Sequence, residues 1–480
     1  MTGRLGLTIY SNDALLKLDD AQFQDSIEYF DPDVVAIPSP HHERTVQRLA
    51  PPETDSIVLH RPRGTGPATS TSGSVALVHV SDIAALSALI ALESENTFDP
   101  TGETYVLSDQ LAVAIDPINL ESRLDGIDAY RDAFPTSDLD GSYTHLTTEA
   151  HPTYHHQWGE LTVRGVMPGA TERLGRHQTD IAHLDLHADG TICAKARSAD
   201  RFGLRAVKQV GRSRVTKLWE EGYRDRSDIA RADIQDLSSP SGIGRPTAET
   251  MIASARAIVD GEVQRRSEAT LPSAEPVFID IETDGLTPTM VWLIGVLNRQ
   301  GGESYMSFLA RDPDEPGQAV EAFASWWSAN AADRPLVAYN GRKFDIPILE
   351  EHIERHCPEH LDAFEDARVV DPYFWATVRD NAFLPGRTNR LEDVASGLGW
   401  DHDETGLSGA TVGRRFQEWA ADPSPETELD WERHERYCED DVRALAHVYD
   451  AIDAPVRTER QTNASGSTPT NTAQGTLSDF

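Results

Sequence analysis

The run Val277-Phe-Ile-Asp-Ile-Glu-Thr283 constrains this chain more than any other segment. Its β-branched and aromatic residues ask for a buried strand, yet it carries Asp280 and Glu282. Alternate side chains of a strand point to opposite faces, so the two carboxylates share one face. Buried charges are costly unless paired or metal-bound, and adjacent acids repel. Either the strand end enters solvent before the Asp284-Gly285 turn, or a divalent cation sits between the acids.

Two later segments bear on that choice. Val291 to Arg299 and Ser304 to Arg311 read as further strands, followed by a helix presenting Phe323, Trp326 and Trp327 to a core. Pro335-Leu-Val-Ala-Tyr-Asn-Gly-Arg-Lys-Phe-Asp-Ile-Pro then runs strand, loop, helix, with Asn340 and Asp345 at the strand's C-terminal end, where open α/β sheets keep their sites. Asn340-Gly341 also makes an ordinary turn, and Asp345 an ordinary N-cap. The last segment, Arg436 to Tyr449, reads as a helix with an apolar stripe through Val442, Leu445, Val448 and Ile452. Tyr437 and Asp441 are four residues apart on that stripe, Glu439 lies round the side, and Asp440 near its edge is the rival acid.

In order and spacing, Asp280 with Glu282, Asp345 after Asn340, and Tyr437 with Asp441 resemble the three motifs of the DEDD exonuclease superfamily. The histidine subtype would place His where Arg436 stands, so the tyrosine subtype fits. The Tyr-Asn-Gly-x-x-Phe-Asp motif and the segment Arg390-Leu-Glu-Asp-Val-Ala look most like the YprB-like ribonuclease-H-like domain. The resemblance covers about residues 275 to 453. It implies a mixed sheet with an antiparallel strand flanked by helices, two Mg²⁺ or Mn²⁺ ions, and 3′ to 5′ removal of nucleotides from single-stranded DNA or RNA. Asp280, Glu282, Asp345 and Asp441 would be the metal ligands, with Asp280 bridging, and Tyr437 would orient the attacking water. Lys343 and Arg342, between Asn340 and Asp345, are placed to touch the scissile or an adjacent phosphate, with Asn340 beside them on the nucleic-acid side; an exposed loop accounts for the two basic residues equally well. Asp371 matches an acid often seen between these motifs, but an Asp-Pro turn accounts for it equally well.

Residues 195 to 266 hold fifteen Lys plus Arg against ten Asp plus Glu, in a chain whose formal charge is -36. Lys195, Arg197, Arg201, Arg205, Lys208, Arg212, Arg214 and Lys217 face only Asp200 up to Trp219. An anion is the natural partner of such an island. Within it, Gly242-Ile-Gly-Arg245 before Pro246 resembles a helix-hairpin-helix motif, and Val210-Gly211-Arg212 a degenerate partner. Gly211, Gly242 and Gly244 would let backbone approach phosphates, with Arg212 and Arg245 beside them. Helix C-caps are the plainer use of such glycines.

The domain expectation is α/β and multidomain: an α/β unit at 1–120, turn-rich and β material at 121–198, an all-α tandem helix-hairpin-helix at 199–265, a linker at 266–275, a ribonuclease-H-like domain at 276–455, and a disordered tail at 456–480. His145, His151, His155 and His156 lack the partners that would complete a zinc site. The 79 acids against 43 bases, only five of them Lys, suit a cytoplasm at molar salt, where the Debye length falls to ~3 Å. We read the chain as halophilic and cytoplasmic: no CxxC pair, signal peptide or membrane span is evident. The competing function is a non-catalytic nucleic-acid binding or repair-recruitment factor working through the helix-hairpin-helix region.

Overall fold

A computed structural model describes residues 3–10, 14–15, 18–37, 57–59, 67–95, 97, 102–115, 122–150, 154–166, 180–285, 287–403, 405–425 and 427–465. The chain divides into two compact units, Met1–Ala255 with Glu404–Val412, and Arg256–Asp403 with Gly413–Phe480.

Two sheets face each other in the first unit. One has five strands, in the order Ile192–Ser198, Asp180–His187, Arg4–Tyr10, Val34–Ala36, Ile57–Leu59. The other is built around Val75–Val80, Glu103–Ile115 and Ser142–Glu149. Leu5, Leu7 and Ile9 of the first share a core with Leu77, Tyr105 and Leu146 of the second. On the outer face of the first sheet, a helix Asp20–Phe30 opens with a capping box between Asp19 and Gln22. Its Phe23, Ile27 and Phe30 cover Tyr10, Val35 and Ile181.

This architecture removes the expected boundary near residue 120. Asp180–His187 pairs antiparallel along the whole of Arg4–Tyr10, so residues 4 to 198 form one piece. The stretch expected to be turn-rich contributes strand Ser142–Glu149, parallel to Glu103–Ile115. Polar side chains inside the sheet disguise that strand: Thr144 donates to Glu103, and the His145 ring is hydrogen-bonded through one nitrogen to Tyr130 at 3.0 Å. His145 is thus a core residue, while His151 lies outside the described residues. Ala68–Ser72 pairs antiparallel with Val75–Val80 as a hairpin.

Residues 199 to 260 are helical: Arg212–Glu220, Arg226–Arg231, Ile234–Leu237 and Arg245–Asp260 follow two short 3₁₀ turns. Val210, Leu218, Ile229, Leu237, Ile243 and Met251 make their common core. Buried Asp25 accepts both Nη atoms of Arg226, at 2.6 and 2.7 Å, and the Gly203 N–H at 2.8 Å, which ties this region to the helix Asp20–Phe30.

The second unit carries a five-stranded sheet that we number in chain order: β1 Val277–Thr283, β2 Val291–Asn298, β3 Ser304–Leu309, β4 Pro335–Val337 and β5 Arg368–Val370. The spatial order is β3-β2-β1-β4-β5, with β2 antiparallel to its neighbours and β1, β4 and β5 mutually parallel. This is the expected mixed sheet. Its longer helices are α1 Gln318–Asn330, α2 Asp345–His356, α3 Leu391–Gly397, α4 Gly409–Ala421 and α5 Trp431–Ser465. Val277, Ile279 and Ile281 of β1 join Phe323 and Trp327 of α1 and Leu349 of α2 in one core. Phe278, on the other face, meets Tyr449 of α5 edge-on. That is the face of Asp280 and Glu282.

No regular element lies between Arg265 and Val277, and the start of that segment is pinned: the Arg266 N–H donates to Asn381 O at 2.8 Å. The tail departs from expectation, because α5 runs on to Ser465 instead of fraying at 456. Arg457, Glu459, Arg460 and Gln461 are good helix formers that need no core to extend an existing helix. Residues 466–480 lie outside the described residues. No described helix is long and apolar enough to cross a membrane.

Candidate metal centre and nucleic-acid interface

Asp280 lies on the central strand opposite Gly295 of β2, and the register shifts between Glu282 and Thr283, where the strand ends. Parallel β4 leaves the sheet beside β1 and turns at Asn340, whose φ is +56°, a left-handed conformation that Asn tolerates. Phe344 is the N-cap of α2, so Asp345 is the first helical residue and not the cap itself. Its carboxylate accepts the Ile281 N–H, joining α2 to the acid-bearing strand.

Helix α5 supplies the third contribution. Glu439 pairs with Arg443, the Nε–Oε1 distance being 2.8 Å. Asp440 is taken by the indole N–H of Trp400 at 3.1 Å and by Nδ1 of His402 at 2.6 Å. Asp441 accepts the Tyr437 hydroxyl and acts electrostatically on Asp280 and Glu282. Of the two rival acids, therefore, Asp441 faces the strand acids and Asp440 is held elsewhere.

Glu282 and Asp345 are buried, and Asp280 and Asp441 partly so. Burial, followed by the charges of Asp441, Glu282 and Asp345, pushes Asp280 well above the usual carboxylate range. Burial and the charges of Asp441 and Asp345 do the same to Glu282. Burial pushes Asp345 up to about 7, helped by the charge of Asp371. Burial and the Asp440 charge push Asp441 up to about 7, against the hydrogen bond from Tyr437. The Tyr437 phenol is driven far above its ordinary value by burial and the surrounding acids, which keeps it a hydroxyl.

Four carboxylates from three distant segments thus repel one another, and a hard divalent cation is the group that relieves them. Ligand atoms of Asp280, Glu282 and Cys438 lie within 4.8 Å of one another. The donor set fits a divalent ion.

Sequence reasoning passed over Cys438. Its sulfur is 3.8 Å from Asp280 Oδ2 and 3.9 Å from the Asp280 carbonyl, and a Cβ on Gly295 would stand 2.5 Å from it. A lone cysteine in a helix gives no signal of such a contact. Asp371 is a bracket: it accepts the N–H of Asn340 at 3.0 Å, Arg342 at 3.4 Å and Phe374 at 3.0 Å. Asn340, Arg342 and Lys343 are exposed on the loop so held.

The two helical hairpins match turn for turn. Gln209 has φ +71° and Gly242 φ +90°; the next residues, Val210 and Ile243, are buried; Gly211 and Gly244 then precede Arg212 and Arg245, which begin helices. Gly211, Gly242, Gly244 and Arg245 are exposed, and only the backbone of Arg212 is described. Arg245 pairs with Glu249 at 3.0 Å. Lys217 donates to the Ser241 carbonyl at 2.6 Å, bridging from one hairpin's helix to the other hairpin. The basic island is smaller than its sequence suggests: Arg197 is 2% exposed and donates to the Tyr29 hydroxyl, and Arg205 pairs with Asp200.

Residues 277–453 match the family model of the ribonuclease H superfamily, and residues 203–257 that of the SAM-like helix-hairpin-helix tandem. The second unit therefore contains a ribonuclease-H-superfamily domain, preceded in the chain by a tandem helix-hairpin-helix domain. Over 66 residues, 14% of this chain, the sequence is 38% identical to the ATP-dependent DNA helicase Hel308 of Caldivirga maquilingensis, and it spans 9% of that protein. Among solved structures, E. coli exonuclease I in complex with a dT13 oligonucleotide is similar at 15% identity and a TM-score of 0.24, over 40% of this chain and 44% of that one. The zinc-bound form of the E. coli exonuclease I complex with single-stranded DNA gives 16% identity and a TM-score of 0.22, over 32% and 42%.

Proposed function

We propose that the protein is a metal-dependent 3′ to 5′ exonuclease of the DEDD type, tyrosine subtype, hydrolysing phosphodiester bonds of single-stranded DNA or RNA. The observation that carries this reading is the convergence of Asp280, Glu282, Asp345 and Asp441, each destabilised as an anion by burial and by neighbouring acids.

These four residues would hold two Mg²⁺ or Mn²⁺ ions. When bound, such ions supply Lewis-acid activation of water and stabilisation of the leaving 3′ oxygen. The chain's own residues do the positioning. Tyr437, kept as a neutral phenol, donates to Asp441 and can orient a water beside it, but is no general base. The Ile281 N–H fixes the Asp345 carboxylate, and Asp371 fixes the loop that presents Asn340 and Lys343 to a phosphate. In the other unit, the hairpins at Gly211 and at Gly242 and Gly244, with Arg212 and Arg245, would grip nucleic-acid backbone without reading sequence. The acidic composition and three buried cysteines, none of them in a disulfide, suit a reducing cytoplasm at high salt.

End-labelled single-stranded DNA and RNA, incubated in molar KCl with Mn²⁺ or Mg²⁺, test the proposal. Laddering from the 3′ end by the wild type, lost in Asp280→Ala, is expected. Tight binding with no cleavage by either protein would overturn it and leave a binding factor centred on the helical hairpins.

A further inference from the structure

Beyond Asp371 the chain makes a wide π-turn, Phe374–Val378, and closes it with Arg379 N–H donating to Phe374 O at 2.9 Å. π-Turns cost hydrogen-bond geometry and recur at functional sites. This one sets the half-buried Phe374 ring against two arginines, with guanidinium carbons of Arg342 and Arg379 at 5.6 and 5.3 Å from its centroid. Both arginines are exposed.

In a chain with 79 acids and 43 bases, surface arginines readily find carboxylates: Arg266, Arg299, Arg355, Arg414 and Arg443 all do. Among the described residues, Arg342 and Arg379 make no such ion pair. Arg342 donates to the Val369 carbonyl at 2.7 Å, and Asp380, adjacent to Arg379, is turned to Arg266 at 2.6 Å. Val378 in the same turn is 50% exposed, one of two large exposed apolar side chains among the described residues. Asp371 holds this turn and the loop that leads into Asp345 through one carboxylate.

We infer that Arg342, Phe374 and Arg379 form a preorganised clamp for the phosphates of the nucleic-acid strand whose end reaches the acid centre. The ring fixes two guanidiniums at a set spacing, so that little of their freedom is lost when phosphates bind. The clamp rests on the exonuclease reading for its substrate, but as an anion site it stands on its own geometry.

The test uses the full chain with a 3′-accessible, fluorescein-labelled oligothymidylate. In cleavage assays, Arg379→Gln and Phe374→Leu should raise KM about tenfold with kcat nearly unchanged, and Phe374→Tyr, which keeps the ring, should restore the wild-type KM. In the non-cleaving Asp280→Ala background, Arg379→Gln should lower the slope of log affinity against log salt by about 0.7, the value of one lost phosphate contact on a single strand. Melting temperatures guard against simple misfolding. A cleaving wild type whose KM and salt slope are untouched by Arg379→Gln removes the clamp and leaves the exonuclease. A wild type that does not cleave, with the slope still reduced, removes the exonuclease and leaves the clamp.

Discussion

Asp185, in the two-sheet unit, and Asp441, in the ribonuclease-H-like domain, are the same chemical group under opposite regimes. Burial would raise Asp185, but the hydrogen bond and charge of His183, at 3.2 Å, and the charge of Arg4, at 2.7 Å, hold it well below the usual carboxylate range. Asp441 is buried among acids and pushed up to about 7. The first carboxylate is part of what keeps its sheet together, whereas the second weakens its domain until something cationic arrives. A fold built only for stability would use the first arrangement everywhere.

The difference can be broken most directly by removing one acid from each region. Asp280→Ala should abolish metal-dependent cleavage by a thousandfold or more, roughly the scale expected when a metal site is dismantled, whereas Asp185→Asn should leave the rate per folded molecule intact. In urea melts the order reverses. Asp185→Asn should cost about 2 kcal/mol by removing the negative charge that Arg4 and His183 both meet, and Glu282→Gln should stabilise the metal-free protein by about 1 kcal/mol.

A finer probe is pH. Asp345 and Asp441 have native values of about 7, above their ordinary 3.8, so the native state holds their protons more tightly than the unfolded chain does. Their contribution favours folding below about 4 and is lost as pH rises to about 7, whereas that of Asp185 is present above about 4 and is lost as pH falls. Melting of metal-free protein at fixed molar KCl should show the first trend, and Mn²⁺ should flatten it. Mn²⁺ affinity should accordingly strengthen between about pH 6 and 8. The smallest effect concerns the hairpins: Gln209→Gly should stabilise by about 0.5–1 kcal/mol by relieving a left-handed non-glycine residue, and Gly242→Val should weaken nucleic-acid binding without changing Mn²⁺ affinity.

How much of this was legible in the sequence differed by region for physical reasons. The acid-bearing strand declared itself because period-two alternation within an apolar run has few alternatives, and β1 does place Asp280 and Glu282 together. Asp440 and Asp441 are neighbours, and nothing local separates them. The partners that separate them, Trp400 and His402, lie about forty residues away. The two-sheet unit was misdivided because buried Thr144, His145 and Thr147 break the hydrophobic pattern of a strand whose partners are equally remote. The first hairpin looked degenerate because its left-handed position holds Gln209, a residue that composition rules do not expect there.

Gly295 touches no substrate and carries no functional group, yet the sulfur of Cys438 occupies the space its side chain would have filled, directly against Asp280. Even a methyl group there would be transmitted through one sulfur atom to a carboxylate of the acid centre. The tolerance of this protein to mutational drift is thus bounded by a void as much as by its chemistry, and a library that spares only charged and aromatic residues would lose activity at a position it had marked as free.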